Sequence, residues 1–529
     1  MKAKRILVTL LVAALLLPML ATTALAEAPV QLTGLIAKHP LTKELASMEW
    51  LNQVEKEAGV EITWQEISAD WDQIKSTMFA SGEIPDILIN ATNNADYTTY
   101  VGLFENLTPW IGAEKTPNLA AFFAAHPEAQ AMATLADGSM YGTPKYQRFW
   151  PSVATSMYIN KTWLDNLGLA VPTTWDELKA VLIAFRDGDP NGNGDAADEF
   201  PFDFLQWVGQ YHPVMLLGST GIQMADFFQD GYFAEDNVVK CAYTDPRYKE
   251  LVLFLKDLWA EGLIDPEAFS NDYSKYQSIA RGTGKTAKVG VTWGWEITDR
   301  VGLELADQYI TLAPLKVSKD DTRDVRVEYD KIGLNYDGNR AVVSALSKNK
   351  EAAIRFLDKL YNPEVGIQVL WGGMNDVDKC IAKNADGSYT ILPPADEKMD
   401  WGTWKWTSSF ADLGPIYVSD DMTINLGKDM VDTLAQRAVY DEYVAKIDPK
   451  KDLFIERYMK YSIEDQSNLG VNQANINSVA QPTMVAWITG AQDINAEWDA
   501  YVENLNASGL AQNLTIKQAA YDAWLATQN

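Results

Sequence analysis

Apolar positions along this chain switch repeatedly between a period of two and a period near three and a half. "VQLTGLIAKHP", Val30 to Pro40, reads as a strand running into a loop. Leu45, Met48, Leu51 and Val54 follow at three-residue steps, which predicts a helix that Gly59 stops. Val60, Ile62 and Trp64 then alternate with Glu61, Thr63 and Gln65, the pattern of a half-buried strand. "WDQIKSTMFASGEIPDILIN" repeats the theme as a helix, a stop at Gly82 and a strand over Ile84–Ile89. Strands alternating with helices in this way predict an α/β unit with a largely parallel sheet. Further on, "SMYINKTWLDNLGLAVPTTWDELKAVLIAFR" predicts a strand, a short helix and a longer one. The longer helix has a start signal: Thr174 can cap the N–H of Glu177, and the Glu177 side chain can reach back. Leu178, Val181, Leu182 and Phe185 form its apolar stripe. "TAKVGVTWGWEI" predicts a strand returning to a sheet, and the second half of the chain is mostly helical by pattern.

Charge and the first residues place the protein. Lys2, Lys4 and Arg5 precede an apolar run over Ile6–Leu17, then Pro18 and the small-residue pattern Ala24-Leu25-Ala26. Residues 1–26 are therefore expected to be a secretory signal cleaved before Glu27. The run is short for a membrane span. Neither cysteine, Cys241 or Cys380, stands where a lipid anchor would need one. The mature chain is expected to be exported to a periplasm or beyond the cell. The formal net charge is −28, and the three cations of the signal leave with it. Such a surface repels phosphate backbones and anionic headgroups, which argues against nucleic-acid and membrane partners. About 500 residues exceed one hydrophobic core, so two or more domains are expected. Two cysteines are no disulfide framework, and whether they pair is open at this level.

Four stretches carry a resemblance: "GEIPDILI", "YINKTWLDNLGLAVPTTWDELKAVLIAFRDGDPNGNGDAADEFPF", "GKTAKVGVTWGWE" and "WITGAQDINAEWDAYVENL". Together, and nearly end to end, they are similar to the family 1 extracellular solute-binding proteins of ABC importers, above all the long oligosaccharide-binding subgroup that includes alginate-binding proteins. The resemblance implies a type II periplasmic-binding-protein-like α/β fold, with two α/β lobes, a hinge and a ligand cleft between the lobes. It implies no chemistry on the ligand, and delivery of an oligosaccharide by a monomer to the membrane permease of an ABC importer. On this reading residues 27–150 and about 290–345 form the first lobe. Residues 151–289 and about 346–529 form the second, helix-rich lobe. Gram-positive members are usually lipoproteins, and this chain lacks the acylated cysteine they use.

One loop suggests an ion. "RDGDPNGNGDAADEFPF" puts Asp189, Asn191, Asn193 and Asp195 at alternate positions, with Gly194 at the sharp turn and Asp198 and Glu199 following. Calcium takes six to eight oxygens, and EF-hand-type loops supply them at such spacing. The closing glutamate of that pattern is replaced by Phe200, so Asp198 and Glu199 are the candidates to close the cage. The resemblance implies the same, since alginate-binding relatives hold calcium in a similar loop closed by an acidic pair. Here that pair comes one residue late. An Asx turn without metal would use the same residues. If calcium is bound its role is structural, since nothing reactive flanks the loop.

Other motifs exclude more than they suggest. "RGTGKT" lacks the first glycine of a phosphate loop, because Ile279 stands there. The three histidines sit at no metal-ligand spacing. The chain holds 18 Trp and 23 Tyr, and flat rings bury the apolar faces of sugars while amides and carboxylates bond the hydroxyls. Loops at the carboxyl ends of strands supply the candidates: Asn93 and Asn94; Trp293, Trp295 and Glu296; and Tyr146, Gln147, Arg148 and Trp150 at the expected crossing. Trp207, Trp371 and the cluster Trp401, Trp404 and Trp406 complete the set. Lys38 and Arg148 are the placed candidates to meet an acidic sugar. Any single Trp is more often core than ligand. A secreted polysaccharide-degrading enzyme, and a binder of a non-carbohydrate solute such as a peptide, remain the alternatives.

Overall fold

The structure is a computed structural model that describes residues 28–528, except 196, 206–210, 229, 283, 376–378, 398, 400 and 450. The expected signal segment lies outside the described residues. Besides a small sheet of three short strands (Ile381–Lys383, Tyr389–Ile391 and Ile424–Asn425), the strands are β1 (Val30–Ala37), β2 (Val60–Ile67), β3 (Ile87–Ile89), β4 (Thr143–Tyr146), β5 (Ser156–Asn160), β6 (Phe200–Phe202), β7 (Tyr232–Glu235), β8 (Val238–Cys241), β9 (Val289–Gly294), β10 (Tyr309–Thr311) and β11 (Tyr336–Val343). They build two main sheets, one per lobe. The first runs β2-β1-β3-β11-β4, with β1, β2 and β3 parallel and β11 antiparallel to both its neighbours. The second runs β10-β5-β9-β6. Strands β7 and β8 form a separate hairpin.

Local signals act as the pattern predicts. The Glu49–Ala58 helix ends at Gly59, whose φ of 66° only glycine adopts at little cost. Thr174 caps the Trp175–Asp187 helix by accepting the Glu177 N–H at 3.2 Å. The return contact differs from the expected box: the Glu177 carboxylate takes the N–H of Thr173, one residue earlier, at 2.9 Å.

The division of the chain between lobes departs from expectation. Strand β9 does return to a sheet, but to the second one, where it lies between β5 and β6. Strand β10 joins the same sheet through β5, so of residues 290–345 only β11 belongs to the first sheet. Conversely, Ile354, Phe356, Ile367, Leu370, Ile416 and Val418 pack into the first lobe's core. Only the last helices return to the second core, bringing Ile476, Trp487, Tyr501 and Tyr521. The chain thus crosses three times, through residues 147–155, 325–335 and 437–455. The misassignment has a physical cause: β9 is uncharged and buried on both faces, and such a strand fits the middle of either sheet. Val153, Val327, Tyr329, Tyr440, Ile447 and Leu453 seal the three crossings into a small core of their own. Cys241 and Cys380 are buried in the cores of different lobes and form no disulfide with each other.

Candidate functional site

Strand β9 delivers two tryptophans to different environments. Trp293 turns inward and is 1 % exposed, with its ring edge-on to Phe202 at 5.0 Å. It is a core residue, which corrects its assignment as a ligand contact. Trp295, past the end of the strand, is half-buried. The buried Arg437 guanidinium lies 4.7 Å from one face of its ring. Trp150 meets it edge-on at 5.6 Å, with planes at 87°. Arg437 also donates to the carbonyls of Trp295, Val153 at 2.8 Å and Ala154 at 2.6 Å, so it ties the first crossing to the end of β9.

The other half of the cluster is built on the first lobe. The Trp150 indole N–H donates to Asp412 at 2.8 Å. Asp412 also accepts from Lys405 at 2.8 Å and from the Gln147 amide at 3.1 Å, and Lys145 stands 3.6 Å away. Burial works to raise the Asp412 pKa, but Lys405 and Lys145 outweigh it and hold the carboxyl below its ordinary value. The Lys405 ammonium lies 4.4 Å from the centre of the Trp150 ring. Lys405 sits on the Trp401–Ser408 helix, whose half-buried Trp406 stacks on His39 at 4.4 Å. Trp401, on the same helix, lies against Gly427, where an added Cβ would come within 2.5 Å of the ring. Glu296 approaches from the second lobe and Asp429 from the Lys428–Gln436 helix just before the third crossing, both half-buried. Burial above all, with the Asp429 carboxylate adding to it, pushes Glu296 up to about 7. Rings, ammonium and carboxyls from both lobes therefore face one another across the crossing segments.

The remaining candidates divide. Trp371 is buried against Phe149 at 5.2 Å, and Trp404 packs in the first lobe's core; both are corrected to packing residues. Helical spacing decides the Trp401–Trp406 run: Trp404 and Ser408, one turn apart, face the core, and Trp406 does not. Gln147 is fully buried and serves Asp412 from below, and Tyr146 is buried against His126 with its hydroxyl on Asp420 at 2.8 Å. Both are corrected from direct contact to support. Arg148 donates to the carbonyls of Ser419, at 2.6 Å, and Met422. Asn93 caps the Asn94–Thr99 helix, and Asn94 accepts from Asn339 at 3.1 Å. Trp207 lies outside the described residues. Lys405, Asp412, Asp429 and Arg437 were not singled out by sequence, because their significance comes from partners more than a hundred residues away.

An inter-lobe cavity of about 330 Å³, away from the tryptophan cluster, is lined by Asn94, Tyr232, Phe454, Arg457, Lys460 and Tyr461, among others. Hydrogen bonding places the crossings between it and the tryptophan cluster. Arg437 bonds residues 153 and 154, Asp330 donates its N–H to Ser152 at 2.7 Å, and Ala225, on the cavity wall, pairs with Tyr329. At the cavity's edge Arg457 joins Asp226 to Asp337. Lys460 donates to the carbonyls of Ala131, Met132 and Thr134 at the end of the Pro127–Ala133 helix, where the helix dipole favours a cation.

The acidic loop is folded on itself. Asp189 accepts the N–H groups of Asn193 at 3.2 Å and Gly194 at 3.0 Å, and Asp198 accepts the amides of Asn191 and Asn193. Asp195 accepts the N–H of Ala197. No group of three His, Cys, Asp or Glu among the described residues is arranged to hold a metal. Yet both carboxylate oxygens of Glu199 are buried without a partner, and burial followed by the Asp198 charge pushes its pKa up to about 7. An all-oxygen donor set with an orphaned buried carboxylate fits a hard cation such as calcium.

Comparison with known proteins gives the family. Residues 40–367 match the model of the bacterial extracellular solute-binding proteins. The fructooligosaccharide ABC transporter substrate-binding protein FusA of Streptococcus pneumoniae is 29 % identical over 499 residues, 90 % of this chain and 87 % of FusA. Its structure in complex with kestose superposes with a TM-score of 0.82 at 26 % identity, covering 94 % of this chain and all of that one, and an EF-hand mutant of it is also known. An HMO-binding ABC-transporter-associated solute-binding protein from Bifidobacterium longum infantis is 31 % identical with a TM-score of 0.86, covering 94 % of this chain and 100 % of its own. The alginate-binding protein AlgQ2, at 20 % identity and a TM-score of 0.67 over 94 % of this chain and 98 % of its own, shows the fold alone. Among the described residues no helix is long and apolar enough to cross a membrane. With the two-lobe architecture, the match over more than half of its length makes this chain a member of the bacterial extracellular solute-binding protein family.

Proposed function

We propose that this protein captures an oligosaccharide between its lobes, at Trp150, Trp295, Trp401 and Trp406, and passes it unaltered to the permease of an ABC importer. One observation carries the reading: the half-buried indoles of Trp295, Trp401 and Trp406, drawn from both lobes, converge with the buried Trp150 on a shared set of carboxyls and one ammonium. Rings of that kind cover the apolar faces of sugars, and Glu296, Asp429 and Lys405 suit the hydroxyl rim. The names of the FusA and Bifidobacterium proteins agree with it. Closure of two stiff lobes about the crossings would trap the ligand, and the closed population rises only as far as the ligand prefers it. The chain acts on this reading as an exported monomer.

Calcium belongs to the same proposal as a structural ion. Asp189, Asn191, Asn193, Asp198 and Glu199 would hold it, and it would neutralise the carboxylate that otherwise lies buried alone. The EF-hand reported for FusA supports this.

The test is a panel of oligosaccharides in calorimetric titration and thermal denaturation. A ligand selective for the native state must raise the melting temperature. The glycan is then recovered and sized by chromatography. A panel without a single binder would overturn the carbohydrate reading, and shortened glycan would show an enzyme.

A further inference from the structure

The relatives leave open whether the solute is charged, since they include both a fructooligosaccharide protein and a polygalacturonan/rhamnogalacturonan-binding protein. We infer that the cleft selects neutral, hydroxyl-rich glycans and rejects chains that carry uronates. The inference rests on the proposed site and asks what that site can offer a carboxylate.

A uronate is held by charged donors, above all guanidinium groups with a free pair of N–H bonds. The cations around the cluster have theirs committed. Arg437 spends its guanidinium on the carbonyls of Val153, Ala154, Trp295 and Thr433. Arg148 is fastened to the carbonyls of Ser419 and Met422. Lys38 pairs with Glu66 at 2.5 Å and donates to the Lys43 carbonyl. Arg340 holds Asn90 and pairs with Asp337. Lys145 is buried against Asp412. Lys405 is largely buried, paired with Asp412 and flanked by the rings of Trp150 and Trp406. A uronate reaching Lys405 would have to draw it from Asp412.

The acceptors are in the opposite condition. Neither Glu296 nor Asp429 is in an ion pair with a basic side chain among the described residues. Both are half-buried, where an acceptor gains from a hydroxyl donor. A sugar hydroxyl can satisfy them, whereas in their ionised form they repel a carboxylate. The net charge of −28 acts in the same direction at longer range, slowing the approach of an anion.

The experiment compares matched ligands. The strongest neutral binder of the panel is oxidised at a primary hydroxyl to the uronate and titrated into the full exported chain at pH 7 and low salt. The oxidised form should bind at least about 100-fold more weakly, the scale of a like-charge contact in an interface. Glu296→Gln and Asp429→Asn should each narrow that gap, and either one suffices if the other fails to fold. Binding of the uronate within tenfold of its parent would overturn the inference and leave the oligosaccharide reading standing. Failure of every glycan, neutral and acidic, would overturn both.

Discussion

Two tryptophans two residues apart should fail in opposite ways when removed. Trp293→Ala empties a site that is 1 % exposed and packed on Phe202. A buried Trp covers about 150–250 Å², which at about 25 cal/mol per Å² is about 4–6 kcal/mol. Truncations of this kind cost about 3–5 kcal/mol in practice. For a lobe-sized unit each kcal/mol moves the melting temperature by about 2–4 °C, so a fall of about 6–20 °C is expected. Trp295→Ala loses the cation contact with Arg437 and the edge contact with Trp150, but opens no core cavity. Its melting temperature should fall by less than half as much. Its affinity for the best-binding glycan should drop by about 2 kcal/mol or more, roughly 30-fold, as for a central aromatic anchor. Scanning calorimetry and isothermal titration on both variants decide the matter. If Trp295→Ala binds within threefold of the parent yet melts as low as Trp293→Ala, the ring is packing and the site is elsewhere.

Calcium at 100 times its dissociation constant should stabilise the chain by about 2.7 kcal/mol, read as a rise in melting temperature that chelator reverses. Without metal, the raised Glu199 pKa makes stability fall as pH climbs from the ordinary carboxyl range to about 7, because the unfolded chain ionises first; Glu199→Gln should flatten that slope and abolish the calcium response. Arg300→Leu, which strands the buried Asp203 carboxylate, should cost about 3–5 kcal/mol in denaturant unfolding without entering the cleft. Gly427→Ala should displace the Trp401 ring and weaken glycan binding while changing the melting temperature little.

Much of the first lobe was legible because its signals are local. Gly59, the alternation through Val60–Trp64 and the Thr174 cap act within a turn or a strand of themselves. Sheet membership is not local. Nothing in the sequence of β9 says whether its partner is β5 or β3, and so the second half of the chain was divided wrongly. The site shows the same boundary. Trp150 and Trp295, read as neighbours of a cleft because strand ends and crossings meet there, do come together in the fold. Trp293, Trp371 and Trp404 could not be told from them, since the outcome turns on which face of a strand or helix meets the core. Lys405 and Asp412 become visible only when Trp150, some 260 residues away in the chain, lands on them.

The edge-on meeting of Trp150 and Trp295 has a mechanical corollary. Each indole keeps its own supports: Asp412 and Lys405 travel with one, the Arg437 guanidinium with the other. Parting the rings forfeits only about 0.5–1.5 kcal/mol, the worth of such an aromatic pair. On the proposed reading this seam is latched lightly and has both gripping surfaces already set, so a guest that enters between the rings has little to displace.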